Sequence, residues 1–252
     1  MKLFRIEGAV ALVTGANRGI GRALTEALLS RGVAKIYAAA RRPESLGSLR
    51  DARVVPMQLD VTDAQQIRAA GANAADVNLI FSNAGVTLNS ELASADVFAQ
   101  ARREMEVNYF GALQMLRQFS PILARNGGGA WVSVGSAAGL TNVPMFPTYS
   151  ASKAALHSLT QCARLLLAAQ ETWVFGAYPG PVDTDMVRDL AMPKAPAHEV
   201  AAAILDGVES GQEDIFPDAF SRDFGRQFES SPKTSERQVA AMVAAMAAGS
   251  AA

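Results

Sequence analysis

Tyr149 and Lys153 stand four residues apart in Tyr149-Ser150-Ala151-Ser152-Lys153, at the start of an Ala/Leu-rich stretch of helical length. Residues at this spacing project from one face of a helix, which sets a phenol beside an ammonium. A tyrosine hydroxyl ordinarily titrates at about 10, and a neighbouring cation favours its phenolate. The pair therefore suits proton exchange with a carbonyl or alcohol oxygen near neutral pH. Such pairs also occur on solvated helix surfaces, so position decides. Ser136, thirteen residues before the tyrosine, ends an apolar run, and parallel sheets hold ligands at the ends of their strands. Asn108, in Val107-Asn108-Tyr109-Phe110-Gly111, places a mediocre helix former inside a long helical stretch. Read alone, it is equally an amide that bends the helix and satisfies itself on backbone.

A second chemical feature lies near the N-terminus. Thr14-Gly15-Ala16-Asn17-Arg18-Gly19-Ile20-Gly21 follows one apolar run and opens an Ala/Leu-rich one. Gly15 permits a tight turn, Gly19 lets backbone approach a pyrophosphate, and Gly21 allows close helix–strand packing, while the helix N-terminus faces an anion with partial positive charge. Turns after strands often contain glycine; the strand before and the helix after give this one its meaning.

The elements that must position these groups alternate along the chain. Strands are expected at Ala9–Val13, Lys35–Ala39, Arg53–Gln58, Val77–Phe81, Ala130–Ser136, Trp173–Tyr178 and Asp214–Phe216. Helices are expected near Gly19–Arg31, Asp63–Ala74, Ala95–Ala124, Ser150–Ala169 and Ala197–Ser210, the second opened by a Thr62/Gln65 capping box. This rhythm predicts an α/β fold, a Rossmann-like doubly wound parallel sheet of about seven strands with helices on both faces. No Pro/Gly/Ser-rich linker divides the chain, so residues 1–252 read as a single domain. Residues 184–197 form a candidate substrate loop. The tail 221–252 reads as a packing helix or a frayed end.

With half of its 252 residues hydrophobic, the chain can bury a sizeable core. Its 23 Lys and Arg against 24 Asp and Glu leave no broad basic face for nucleic acid. The lone Cys162 lies among Ala and Leu and reads as a small hydrophobe without an internal disulfide; His157 and His198 are too isolated for a zinc cluster, and no metal is expected. Without a signal-like N-terminus or an apolar span long enough for a bilayer, the expectation is a soluble protein of a reducing cytoplasm. Met145, Met186 and Met192 are core filler or the flank of an apolar pocket.

The T-G-x-x-x-G-x-G spacing resembles that of the short-chain dehydrogenase/reductase family. The likeness continues through Asp60-Val61, Ser82-Asn83-Ala84-Gly85, Asn108, Ser136, Tyr149, Lys153 and Pro179-Gly180, and spans about Ala9 to Phe216. The resemblance implies an oxidoreductase that moves hydride between a nicotinamide dinucleotide and a small carbonyl or alcohol substrate. Tyr149 would be the acid/base, Ser136 would bond the substrate oxygen, Lys153 would hold the nicotinamide ribose and tune Tyr149, and Asn108 would anchor a relay water. The implied cofactor contacts are Gly15, Asn17, Arg18, Gly19, Ile20, Arg41, Asp60, Val61, Asn83, Ala84 and Gly85, then Tyr149 and Lys153, and Pro179, Gly180, Val182 and Thr184, whose hydroxyl would meet the carboxamide. Two positions depart from the family pattern. Ser82 replaces an asparagine, weakening sheet-end bonding, and Gly135 replaces a serine, adding backbone freedom.

Cofactor choice turns on the end of the second strand, where an NAD-preferring enzyme carries a carboxylate for the ribose 2′-hydroxyl. Here Ala40 is followed by Arg41 and Arg42, with Arg18 on the phosphate loop. Guanidinium suits a 2′-phosphate, so the expected cofactor is NADP(H). The rival reading is a non-catalytic dinucleotide-binding redox sensor or scaffold, which would need the phosphate loop but not Ser136, Tyr149 and Lys153. A lyase or epimerase using nicotinamide transiently is disfavoured by the short chain. The short 184–197 loop suggests a fairly open pocket for bulky or varied apolar carbonyl compounds. Family members associate through the two long helices, so a homotetramer or homodimer is expected.

Overall fold

The computed structural model describes residues 3–47, 49–88, 91–188 and 190–249. Its apolar runs form β1 (Val10–Thr14), β2 (Lys35–Ala40), β3 (Val54–Gln58), β4 (Leu79–Ser82), β5 (Gly129–Val134), β6 (Thr172–Ala177) and β7 (Asp214–Ile215). All pairings are parallel, in the order β3-β2-β1-β4-β5-β6-β7. Pro56 is tolerated in β3 because that strand is an edge. Every expected strand is present, and the ends move by at most two residues.

Side chains alternate between the two faces, as the period of a strand demands. In β1, Ala11 and Val13 join a core with Leu24 and Leu28 of α1 (Gly19–Ser30) and Ile204 and Leu205 of α6 (Ala197–Ser210). Leu12, between them, joins the opposite core with Ile67 of α2 (Ala64–Asn73), Phe119 of α4 (Ala112–Arg125) and Ala163 of α5 (Pro147–Leu167). Burial on both faces explains why these strands read as continuous apolar runs.

Several local expectations are corrected. The stretch read as one helix over 95–124 is α3 (Val97–Met105), a π-helical segment at Glu106–Gly111, and then α4. Such segments collect at functional sites, and this one carries Asn108. The cap of α2 is Asp63, whose carboxylate accepts the Gln65 and Gln66 N–H groups, because Thr62 instead donates its hydroxyl to Asp60 Oδ1 at 2.7 Å. Helix α5 begins at Pro147 rather than Ser150, since proline is suited to a first turn whose N–H groups have no helical partner. Cys162 is exposed on α5 rather than packed as a small hydrophobe. The tail forms two helices, α7 (Ala219–Ser230) and α8 (Pro232–Gly249). No helix among the described residues is long and apolar enough to cross a membrane.

Strand order reverses between β1 and β4. That break opens a crevice beyond the strand ends.

Candidate active site

The phosphate loop crosses this crevice. Gly15 and Gly19 have φ of 67° and 53°, in the left-handed region that favours glycine. A Cβ on Gly21 would lie 2.3 Å from the Gly15 carbonyl oxygen, so the loop and helix meet at a distance only glycine allows. Thr14 ties this loop to β4: its hydroxyl accepts the N–H groups of Asn83 and Ala84 at 2.9 Å each, and Asn83 Nδ2 donates to the Thr14 carbonyl at 2.8 Å. The Asn83 amide thus braces the cradle. Ser82 stands beside this bracing without entering it.

A cleft of about 430 Å³ runs from the loop to Tyr149. Asn17, Ile20, Val61, Gly85, Pro179 and Val182 line it with the glycines, as do Asp60, Asn83 and Ala84. Thr184 closes over Gly19, where a Cβ would meet its Cγ2 at 3.1 Å, and directs its hydroxyl to the Val182 carbonyl at 3.2 Å. Arg41 and Arg42, exposed at the end of β2, line the same cleft and form no ion pair among the described residues. Arg18 faces Asp185, with Nη1 3.8 Å from Oδ2, rather than being directed wholly to the end of β2. A cradle cleared of Cβ atoms, followed by two unpaired guanidinium groups, fits a phosphorylated dinucleotide.

At the other end, Ser136 follows β5 and accepts the Ala138 N–H at 3.2 Å. Tyr149 lies in the first turn of α5 and Lys153 one turn on. Burial pushes the Tyr149 phenol up to about 12; the Ser136 hydroxyl pulls it down and the Glu104 charge adds to the rise. Burial pushes Lys153 down to about 8. Its Nζ donates to the Val134 carbonyl at 2.9 Å and lies 5.8 Å from the Tyr149 ring centre. Burial thus moves each group toward its neutral form, with Lys153 still mostly an ammonium at neutral pH.

Asn108 alone of the expected site residues does not line the cleft, and is 1% exposed. Its Oδ1 accepts the Val86 N–H at 2.8 Å, while Nδ2 donates to the Val86 carbonyl at 2.9 Å and to Ser152 Oγ at 2.8 Å. Ser152 in turn donates to the Tyr149 carbonyl at 2.7 Å, so Asn108 holds the Tyr149 turn in place. Both amide hydrogens are engaged. A relay water would need an acceptor site on Asn108.

At Gly135 space is tight. A Cβ there would meet the Tyr178 ring at 3.1 Å, and that tyrosine is held through its hydroxyl by His157 Nδ1 at 2.7 Å. Sequence reasoning gave His157 no partner. It also missed Ser45, Arg103, Phe220, Phe224 and Met242, which line the cleft, and Asp218, which accepts the Gly180 N–H at 2.8 Å. Only Asp218 had a local signal, an acidic residue three before Ser221 in a capping box. Asp189, inside the expected substrate loop, lies outside the described residues.

The sequence profile of the family described as short chain dehydrogenase matches residues 9–194. A galactitol 2-dehydrogenase (L-tagatose-forming) of Cereibacter sphaeroides is 37% identical over 196 residues, 73% of this chain and 75% of that protein. An uncharacterized oxidoreductase of Myxococcus xanthus is 33% identical over 223 residues, 82% and 87% of the two chains. Among solved structures, a short chain dehydrogenase from Burkholderia cenocepacia J2315 in complex with NADP has a TM-score of 0.89 at 39% identity, covering 94% of this chain and 99% of that one. A short chain dehydrogenase/reductase from Burkholderia phymatum in complex with NAD has a TM-score of 0.77 at 26% identity, covering 89% and 94%.

Proposed function

This chain belongs to the short-chain dehydrogenase/reductase family of oxidoreductases, and from that premise we propose that it reduces ketones or aldehydes, and oxidises secondary alcohols, with NADP(H). The observation that carries the reading is the convergence of Ser136, Tyr149 and Lys153 on the same cleft as the glycine cradle. Bound NADPH supplies the hydride that reduces the carbonyl carbon. The Tyr149 phenol, protonated at neutral pH, donates its proton to the carbonyl oxygen. The Ser136 hydroxyl hydrogen-bonds the same oxygen. Lys153 would hold the nicotinamide ribose, and Thr184 would bond the carboxamide. Asn108 acts by fixing the Tyr149 turn. Arg41, with Arg18 and Arg42 behind it, holds the 2′-phosphate; the similarity to an NADP-bound short chain dehydrogenase supports this choice. The whole chain works as one catalytic unit, in the cytoplasm, as a homodimer or homotetramer.

Tyr149→Phe tests the assignment, because it removes the acid and keeps the ring. NADPH affinity by fluorescence titration should stay within about twofold, while turnover falls by about 100-fold or more, the usual contribution of a positioned acid. A variant that reduces ketones at the parental rate sinks the mechanism.

A further inference from the structure

We propose that the C-terminal pair α7 and α8 is the substrate-recognition wall of the cleft, and that it selects bulky apolar ketones and secondary alcohols over polyhydroxylated ones. The proposal rests on the hydride-transfer reading. The pair is anchored at the reacting end by Asp218, 5% exposed. One of its oxygens caps α7 by accepting the Ser221 N–H at 2.8 Å, and the other accepts the Gly180 N–H at 2.8 Å. Phe220 presses on the same loop, since a Cβ on Gly180 would meet its Cδ1 at 2.6 Å. Phe224 of α7 and Val239 of α8 pack with Ala137, the neighbour of Ser136. From this anchorage Phe220, Phe224 and Met242 enter the cleft lining that also holds Met145, Met186 and Met192.

None of those six side chains offers a strong hydrogen bond. Most polar side chains of the cleft lie away from that wall or are already engaged. Asn17, Ser45, Asp60 and Asn83 belong to the phosphate loop and the strand ends beside it. Asp185 is paired with Arg18 and Arg188, Thr184 bonds the Val182 carbonyl, Thr87 is itself engaged, and Arg103 is exposed on α3. Ser136 and Tyr149 satisfy one substrate oxygen. A further hydroxyl pressed against the methionine and phenylalanine wall finds no partner, and each such group lowers affinity by about tenfold. In the reduction, the carbonyl carbon gains the hydride given up by NADPH, which becomes NADP+, and the oxygen gains the Tyr149 proton. The wall sets which carbonyl reaches that point.

The test assays the full chain with saturating NADPH on 2-octanone and acetophenone against dihydroxyacetone and L-tagatose. It includes Met242→Asn and Met242→Leu, at a half-buried position where substitution spares the core. The apolar arm should exceed the polyhydroxy arm in kcat/KM by about 100-fold, the effect of two unsatisfied hydroxyls. Met242→Asn should raise the KM for 2-octanone about fivefold, and Met242→Leu should keep the parental KM. In thermal unfolding, 2-octanone should raise the Tm of the parent more than that of Met242→Asn. A preference for tagatose, or a Met242→Asn variant with parental KM and parental Tm shift, overturns the substrate assignment and leaves hydride transfer standing. Absence of turnover on every compound, in protein that still binds NADPH, overturns hydride transfer and the assignment with it.

Discussion

At the scale of the residue, one environment drives two groups in opposite directions. Burial moves Tyr149 up to about 12 and Lys153 down to about 8, each toward its uncharged form. For Lys153 the folded value lies below the ordinary 10.5, so between about 8 and 10.5 the unfolded chain holds more protons and stability rises with pH. For Tyr149 the folded value lies above the ordinary 10.0, so from about 10 to 12 the unfolded chain loses its proton first and stability falls. Urea unfolding of the cofactor-free protein should therefore strengthen from pH 8 to pH 10, with an upper bound on the order of 3 kcal/mol. Lys153→Met should flatten that rise, and an equal rise in the variant would refute the assignment. At the opposite end of the cleft, Arg41→Ala would remove the proposed charged contact to the 2′-phosphate, about 1.5–3 kcal/mol. The NADPH/NADH ratio of kcat/KM should fall about 10- to 100-fold. An unchanged ratio would exclude Arg41 as the phosphate ligand.

At the scale of the element, the phosphate loop and the α2 cap make a controlled comparison. Gly21→Ala would place a methyl group 2.3 Å from the Gly15 carbonyl and 2.5 Å from Asn83 Nδ2, two atoms fixed by the β1–β4 bracing. The expected outcome is loss of measurable NADP(H) binding in titration calorimetry together with a lower Tm. Asp63→Ala removes a helix cap outside the cleft and should cost about 1 kcal/mol of stability with the NADPH Kd unchanged. If Gly21→Ala binds cofactor normally, close packing there is not what the glycine serves. The π-helical segment at Glu106–Gly111 was not legible from periodicity, because a turn widened by one residue resembles an ordinary amphipathic helix over so short a span. The segment ends at Gly111, which approaches Val61 so closely that a Cβ would meet its Cγ2 at 2.7 Å.

At the scale of the whole molecule, α5 carries an exposed stripe of Ala151, Ala154, Ser158, Cys162 and Leu165. Leu165, Leu166 and Phe98 are 82%, 71% and 75% exposed, more apolar surface than isolated side chains account for when two of them adjoin. Self-association through this face is the expected outcome. Light scattering at micromolar protein should give a multiple of 26.5 kDa, and Leu165→Glu with Leu166→Glu should shift it toward that mass. A parent that scatters as a 26.5 kDa particle rules this out.

Local chemistry was written in the sequence wherever it depends on neighbours along the chain. The glycine loop between strand and helix, the four-residue step from Tyr149 to Lys153, and the two-sided apolar runs needed no distant partner to be legible. Charge balance after desolvation, the engagement of Asn108 by Val86 and Ser152, and the packing of Tyr178 on Gly135 were decided in three dimensions, because each depends on which segments the sheet order brings together. The same holds for the cleft wall. Met242 and Phe224 lie far along the chain from Ser136, in a tail whose sequence pattern left a packing helix and a frayed end equally open. The Asp218 bond to Gly180 turns that tail into part of the site.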